Sequence, residues 1–393
     1  MGSDSTRSPE PTRREVLTYG SAVVGSGLLA GCSAGGDAES GGKTDDEPAY
    51  TASIAPVGEV EFESKPEDVF TVLSHHADMA LALGRGDDLT GVYSPEYTDS
   101  LMSAFVDPLD GVSVDWADLY AAWNPDKETL YELDSDVHLA DPANVLTMEN
   151  WEQSDIEEVR DTVGPWFGNT FSDQHREPPS EYADDYEYYT LWEQFGRVAD
   201  ALRERNRYEA LLEERDAMLS TVRENLPPEN ERPSVAMVLT STTDESMWVY
   251  RVNAPGYHTS HTRPFGAVDA FGDDVGNGDQ IDYEALVEAD PDVLIVLGGT
   301  VDLRDMAAIR SGLEDDPVAS VITAVQDGRV HAQGTRHQGP LVNLFQIEMT
   351  AKQLYPEQFG EWPTYDEGPY PSLPEEEQLF DHQRVANVIR GEF

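Results

Sequence analysis

The sequence predicts an α/β protein of two Rossmann-like lobes joined by a long rigid interlobe helix, and three observations carry that prediction. Short apolar runs alternate with segments of helical period, which implies parallel sheets with both faces covered. The longest helical pattern, residues 191–226, stands between two such series. The third observation is an internal echo. ETLYELDSDVHLA at 128–140 aligns without gaps with EALVEADPDVLIV at 284–296, matching Glu128 with Glu284, Leu130 with Leu286, Asp134 with Asp290, Asp136 with Asp292 and Val137 with Val293. Each copy reads as a helix entering a strand through an acidic turn, at the same place in its half. A duplicated lobe is the economical reading.

The chain opens on a twin-arginine pattern, Thr12-Arg13-Arg14-Glu15-Val16-Leu17, followed by an apolar stretch at 19–30 too short to cross a bilayer as a helix. It runs into Leu29-Ala30-Gly31-Cys32, which is similar to a lipobox: small residues let a peptidase reach the bond before a cysteine that then carries lipid. Residues 1–32 are therefore expected to be an export signal of the twin-arginine route, with Cys32 as the lipidation site. Cys32 is the one cysteine of the chain, which excludes an internal disulfide and any cysteine-pair metal site. Residues 33–58 are expected to be a flexible acidic tether, placing the rest at the extracellular face of the membrane.

An N-terminal lobe is expected over 59–190. VFTVL from Val69, the polar SHHAD and the apolar-periodic MALALG read as strand, loop and helix. LTGVY at 89–93 is a second strand with a helix through Leu101 and Phe105 behind it, residues 126–134 a helix, VHLA at 137–140 a third strand and 154–163 another helix. In the interlobe segment 191–226, Leu191, Phe195, Val198, Leu202, Tyr208, Leu212, Leu219, Val222 and Leu226 mostly recur at steps of three, four or seven, so one stripe faces a core. Unbroken, it would reach roughly 50 Å, with Asn206 a candidate break and Pro227-Pro228 the stop. A C-terminal lobe follows over 227–360: strands at VAMVL and MWVYRV, the loop NAPGYHTSHTRP, a helix at GAVDAFG, a helix at 283–289, the buried strand VLIVL with its Gly298-Gly299 turn, the strand RVHAQ and a helix over 340–354. The extension 361–393 carries Leu379, Phe380, Val385, Val388 and Ile389 at helical spacing, expected as a terminal helix closing a lobe.

Acidic residues number 77 against 25 basic ones, a formal charge of −52, and only four of the basic residues are lysines. Such a field repels nucleic acid and anionic lipid surfaces. With 39 % hydrophobic residues the chain still has a normal core share, so it is folded. The composition resembles that of proteins from salt-saturated environments, where carboxylates keep the surface hydrated and salt screens their repulsion.

Ligands of open α/β sheets bind beyond the carboxyl ends of the strands, so the loops there hold the candidates. His75 and His76 follow the first strand and could coordinate a metal or contact a ligand, or one could cap or face solvent. Trp116 and Trp123, in DWADLYAAWNPD, could stack on a ligand ring or anchor their loop. Tyr257, His258, His261 and Arg263 cluster after Gly256 in the second half. Arg263 could pair bidentately with anionic oxygens of a ligand, or with one of many surface carboxylates. Arg336 and His337, in GTRHQGP, carry the same two readings. A bare-metal site at His258 and His261 is the weaker reading, because that spacing is common by chance. No nucleophile elbow, phosphate loop or His-Glu-x-x-His motif stands in the sequence, so no recognisable enzyme is expected and no cofactor.

Taken in order, the lipobox, ETLYELDSDVHLADP, the interlobe helix, IDYEALVEADPDVLIVLGG and AVQDGRVHAQGTRHQGPLVNLFQIEMTAKQLYPEQF resemble the cluster A, or class III, substrate-binding proteins of ABC importers. The C-terminal strings ADPDVLIV, AVQDGRVHA and LYPEQF are the most specific. The likeness is greatest to ferrichrome-type, iron-hydroxamate binding lipoproteins of haloarchaea. The resemblance implies two lobes about a shallow cleft, a helical spine that bends little on binding, and docking to a membrane permease and its ATPase through acidic residues of both lobes. Its implied ligand is a ferric siderophore, hydroxamate favoured, with cobalamin next and haem third; a monomer is expected. Two answers of other classes stay open: a surface metal-dependent hydrolase or redox protein on the same scaffold, since fold alone does not fix function, and an adhesion or scaffold protein with no small-ligand cleft.

Overall fold

The computed structural model describes residues 49–240, 246–301, 304–363 and 370–393. The expected signal at 1–32, with Cys32, and the tether as far as residue 48 lie outside the described residues. From Tyr50 onward the chain is not a tether: β1 (Tyr50–Ile54) and β2 (Gly58–Phe62) form an antiparallel hairpin. Strict alternation explains it, since Ala52, Ile54, Val60 and Phe62 are buried while Thr51, Ser53, Glu59 and Glu61 face out.

In the first lobe, β3 (Val69–Thr71), β4 (Leu89–Val92), β5 (Tyr120–Ala121) and β6 (Val137–Leu139) form a wholly parallel sheet in the order β5-β4-β3-β6. Helices α1 (Ser74–Ala82), α2 (Pro95–Val106), α3 (Lys127–Leu133), α4 (Pro142–Val145) and α5 (Gln153–Thr162) carry the returns. The loop expected at SHHAD is absent. α1 begins directly after β3, so His75 and His76 occupy its first turn and are buried.

The interlobe segment is two helices, α6 (Leu191–Ala201) and α7 (Arg205–Asn225), rather than one rod. Thr190 and Glu193 form a capping box at the start of α6. The break falls at Arg203, whose φ of 53° leaves the helical region, three residues before Asn206. The predicted stripe holds on both pieces: Leu191, Phe195, Val198, Leu202, Tyr208, Leu219 and Val222 are buried in one core.

In the second lobe, β7 (Ser234–Leu239), β8 (Met247–Val249), β9 (Val268–Asp269), β10 (Gln280–Ile281), β11 (Val293–Val296) and β12 (Val330–Ala332) order as β10-β8-β7-β11-β12, with β9 also beside β7. β7, β11 and β12 run parallel. The helix expected at GAVDAFG is instead β9: Val268 and Asp269 pair with Ser234 and Val235, and the Asp269 carboxylate accepts the N–H groups of Val252 and Phe271. Helices α8 (Tyr283–Ala289), α9 (Met306–Asp315), α10 (Thr323–Gln326), α11 (Pro340–Leu354), α12 (Pro356–Phe359) and α13 (His382–Arg390) complete the chain; α9 lies where no helix was expected.

The echo is structural. Asp126 caps α3 through the Thr129 N–H and Asp282 caps α8 through the Ala285 N–H; Asp134 and Asp290 then end these helices in the left-handed conformation before β6 and β11. Alternation along the strands divides the packing. Val69 and Val235 enter a core shared by both lobes, Phe70 an outer core of the first lobe and Ala236 an outer core of the second. α11 lies in the shared core with every residue buried, and the described residues pack as one compact unit.

Candidate functional site

Both sheets aim the carboxyl ends of their parallel strands at one cavity of about 380 Å³. Leu73 and Ser74 follow β3, Tyr93 and Tyr97 follow β4, and Asn144 follows β6. Facing them, Leu239 comes at the end of β7, Leu297, Gly298 and Arg304 follow β11, and Thr335, Arg336 and His337 follow β12. Thr170, Asp173, His175 and Arg176 form a further wall, and His258 enters from the loop between β8 and β9. That wall bridges the lobes. The Gly256 Cα, at φ 93°, presses on the Asp173 carbonyl so closely that no Cβ fits, and His175 Nδ1 lies 3.0 Å from the Asn277 amide nitrogen.

Three guanidinium groups border the cavity. Arg336 Nη1 donates to the Tyr250 hydroxyl, and its charge lies 5.0 Å over that ring. Arg304 Nε donates to the Thr240 carbonyl at 2.8 Å, and its head rests on Gly298. Burial pulls the Arg304 pKa below its ordinary value. Arg176 reaches from the first lobe, donating to Asn144 Oδ1 and to Thr147 Oγ1, the latter at 3.3 Å. These partners are neutral, so three positive charges are presented with one lining carboxylate among the described residues, Asp173.

Behind this lining lies a layer of buried rings. The His75 ring centroid is 3.9 Å from that of His76, 4.9 Å from Tyr257 and 6.3 Å from His337. His258 Nε2 is 3.3 Å from His337 Nδ1 and 3.7 Å from Asp173 Oδ2. Burial keeps these imidazoles neutral: His76 is pushed down to about 3 and His75, His258 and His337 well below the usual value. For His258 the nearby Arg336 adds to that, and for His337 the neighbouring His258 and then Arg336 do. Both ring nitrogens of His75, Nδ1 of His76 and the Tyr257 hydroxyl have no hydrogen-bond partner among the described residues. Among the described residues, no three His, Cys, Asp or Glu side chains are placed to hold a metal ion.

The structure thus places His258, Arg336 and His337 on the cavity, and His75, His76 and Tyr257 in the layer behind it. His261 is buried elsewhere, its Nδ1 2.7 Å from Gln338 Nε2. Arg263 faces a different, open surface with Tyr188 and Thr190, where it donates to the carbonyls of Ala254 and Gly256. Trp116 is a core anchor donating to the Gly86 carbonyl at 3.2 Å, and Trp123, 63 % exposed, is not on the lining. Residue reasoning passed over Tyr93, Tyr97, Asp173, His175, Arg176 and Arg304. Tyr93 directly follows β4 and the carboxyl-end rule reaches it, whereas Arg304 stands eight residues past the end of β11, just before α9. Asp173, His175 and Arg176 arrive from a segment more than thirty residues beyond β6 and carry no local signal.

The pattern of the periplasmic binding protein family matches residues 74–334, a span that opens at α1 and ends beside the cavity. The chain belongs to this family. This is a family of binding proteins, and the chain is a binding protein, not an enzyme. Among solved structures it is similar to the iron uptake ABC transporter substrate-binding protein PiuA from Streptococcus pneumoniae, at 17 % identity and a TM-score of 0.53 over 78 % of this chain and 99 % of that one. It is similar also to the petrobactin-binding protein YclQ from Bacillus subtilis, at 16 % and 0.54 over 79 % and 99 %. A third is an ABC-type Fe3+-hydroxamate transport protein from Saccharomonospora viridis, at 17 % and 0.52 over 78 % and 99 %. No curated protein sequence matches the chain. Among the described residues no helix is long and apolar enough to cross a membrane.

Proposed function

We propose that this chain is the extracellular receptor of an ABC importer, capturing a ferric siderophore between its lobes and delivering it to a permease and its ATPase. The observation that carries this reading is the set of Arg176, Arg304 and Arg336 around one interlobe cavity in a chain of formal charge −52. A ferric tris-hydroxamate is electrically neutral and has no need of that charge. A ferric chelate of catecholate or carboxylate donors is an anion, and guanidinium forks match its oxygens. The cavity chemistry therefore favours an anionic chelate over the hydroxamate that the sequence resemblance put first. A volume of about 380 Å³ lies at the low end of the range for ligand pockets, about 300–1,000 Å³, which supports a compact chelate over cobalamin or haem. Export by the twin-arginine route, lipid on Cys32, life in high salt and a monomeric state belong to the same proposal, supported by the sequence patterns alone.

The test is tryptophan fluorescence in molar salt, titrating the chain with ferric catecholate, ferric citrate, ferrichrome, cobalamin and haem. Saturable one-to-one quenching by an anionic ferric chelate is expected. Arg304→Ala and Arg336→Ala should each weaken it about 10- to 100-fold, the worth of a charge-assisted hydrogen bond. Tight ferrichrome binding that ignores both substitutions would restore the hydroxamate reading, and no response to any chelate would remove the receptor function.

A further inference from the structure

The C-terminal extension is bound to the two helices that frame the cavity. α1 begins at Ser74 and α11 three residues after His337, so both start at the cavity and run back from it. Their near ends are joined by Asp78 of α1, whose carboxylate accepts the N–H groups of Leu341 and Val342 at 2.9 and 3.0 Å. Farther along, the extension joins them. Glu348 of α11, 0 % exposed, accepts hydrogen bonds from the Tyr370 hydroxyl at 2.6 Å, the Leu379 N–H and His382 Nε2 at 3.1 Å. The rings of Phe380 and His382 pack on Phe345. α13 then lies along α7, where Arg384 pairs with Glu213 and Glu214 at 2.8 and 2.6 Å. At the end of α1, the Ile389 carbonyl faces Gly84, Arg207 of α7 donates to the Val388 carbonyl, and Arg390 reaches the Asp110 carbonyl.

One segment therefore holds α11, α7 and the end of α1 together, and all of it lies beyond residue 334, where the family match ends. A carboxylate as buried as that of Glu348 is tolerable only with its donors in place, so the contact is all-or-none rather than gradual. Close-packed helices transmit a change of angle along their length. Glu348 stands eight residues from Pro340, about 12 Å along the helix. We propose that residues 370–393 are a strap that sets the angle between α1 and α11 and thereby the spacing of Ser74 and His75 from Arg336 and His337 across the cavity.

Hydrogen–deuterium exchange on the full chain in molar salt, with no ligand added, tests this independently of what the cavity binds. In Glu348→Gln, amides of residues 74–78 and 335–342 should exchange at least about tenfold faster, while those of β7 and β11 keep their rates. Acceleration confined to residues 345–352 and 370–390, with the cavity amides unchanged, would overturn the proposal. Should Glu348→Gln fail to fold, Arg384→Glu loosens the strap from its more exposed side and gives the same comparison.

Discussion

Burial pushes the Asp78 carboxyl up to about 7, against the pull of the Val342, Leu341 and Gly339 N–H groups that it faces. The group costs more to ionise in the fold than in the unfolded chain, so the native state keeps its proton to higher pH. Between about pH 4 and 7 the native state binds about one proton more, and stability falls as pH rises, by up to about 1.4 kcal/mol per unit. The contribution is fully present below the unfolded value and gone above about 7. Denaturation midpoints of the wild type and Asp78→Asn, compared across that window at constant molar salt, should differ with this slope. Parallel curves would show that Asp78 is ionised throughout. The same single-residue view explains why His75 and His76 were legible as residues near the site but not as to their place. Their position after a strand was readable, whereas their burial depends on Tyr257 and His337 from the other lobe.

The two acidic turns show what repeats at the level of the element and what does not. Asp134 and Asp290 take the left-handed conformation, at φ 47° and 38°, where glycine is unstrained. Asp134→Gly should therefore raise stability by about 0.5–1 kcal/mol. Asp290→Gly should gain less, because Asp290 Oδ1 also accepts the Thr323 N–H at 2.8 Å. Thermal melts in molar salt decide this, and an equal gain at both positions would contradict it. Elements with a full period and an end signal were readable from sequence: α11 runs over Pro340–Leu354 as expected, and the echo predicted both helix-to-strand turns. The failures have physical causes. GAVDAFG is too short for its period to distinguish helix from strand, and pairing with β7 decides it. Nothing local marks Arg203 as the break, which is set where α6 and α7 pack around Tyr208. The hairpin at 50–62 was hidden because Thr51, Ser53, Glu59 and Glu61 face outward from a one-sided sheet and break up its apolar run.

At the scale of the whole molecule, a charge of −52 and a cavity bordered by three arginines act on an anionic ligand in opposite directions and at different ranges. The field of the surface repels such a ligand over the distance that salt leaves unscreened, about 10 Å at 0.1 M and about 3 Å at 1 M. The guanidinium groups act at bonding distance inside a partly desolvated cavity, where screening is weaker. Raising salt therefore removes the repulsion before it weakens the attraction. Over the range from about 0.1 M to about 1 M in which the chain stays folded by circular dichroism, the association rate of a ferric catecholate should rise severalfold while its dissociation rate changes little. Neutral ferrichrome serves as the control and should show no such rise. This is the reverse of the usual behaviour of an anion meeting a basic site, in which salt slows association. An association rate that falls with salt, measured by stopped-flow quenching, would mean that the arginines govern the approach from outside the cavity and that the acidic surface leaves a corridor open to anions.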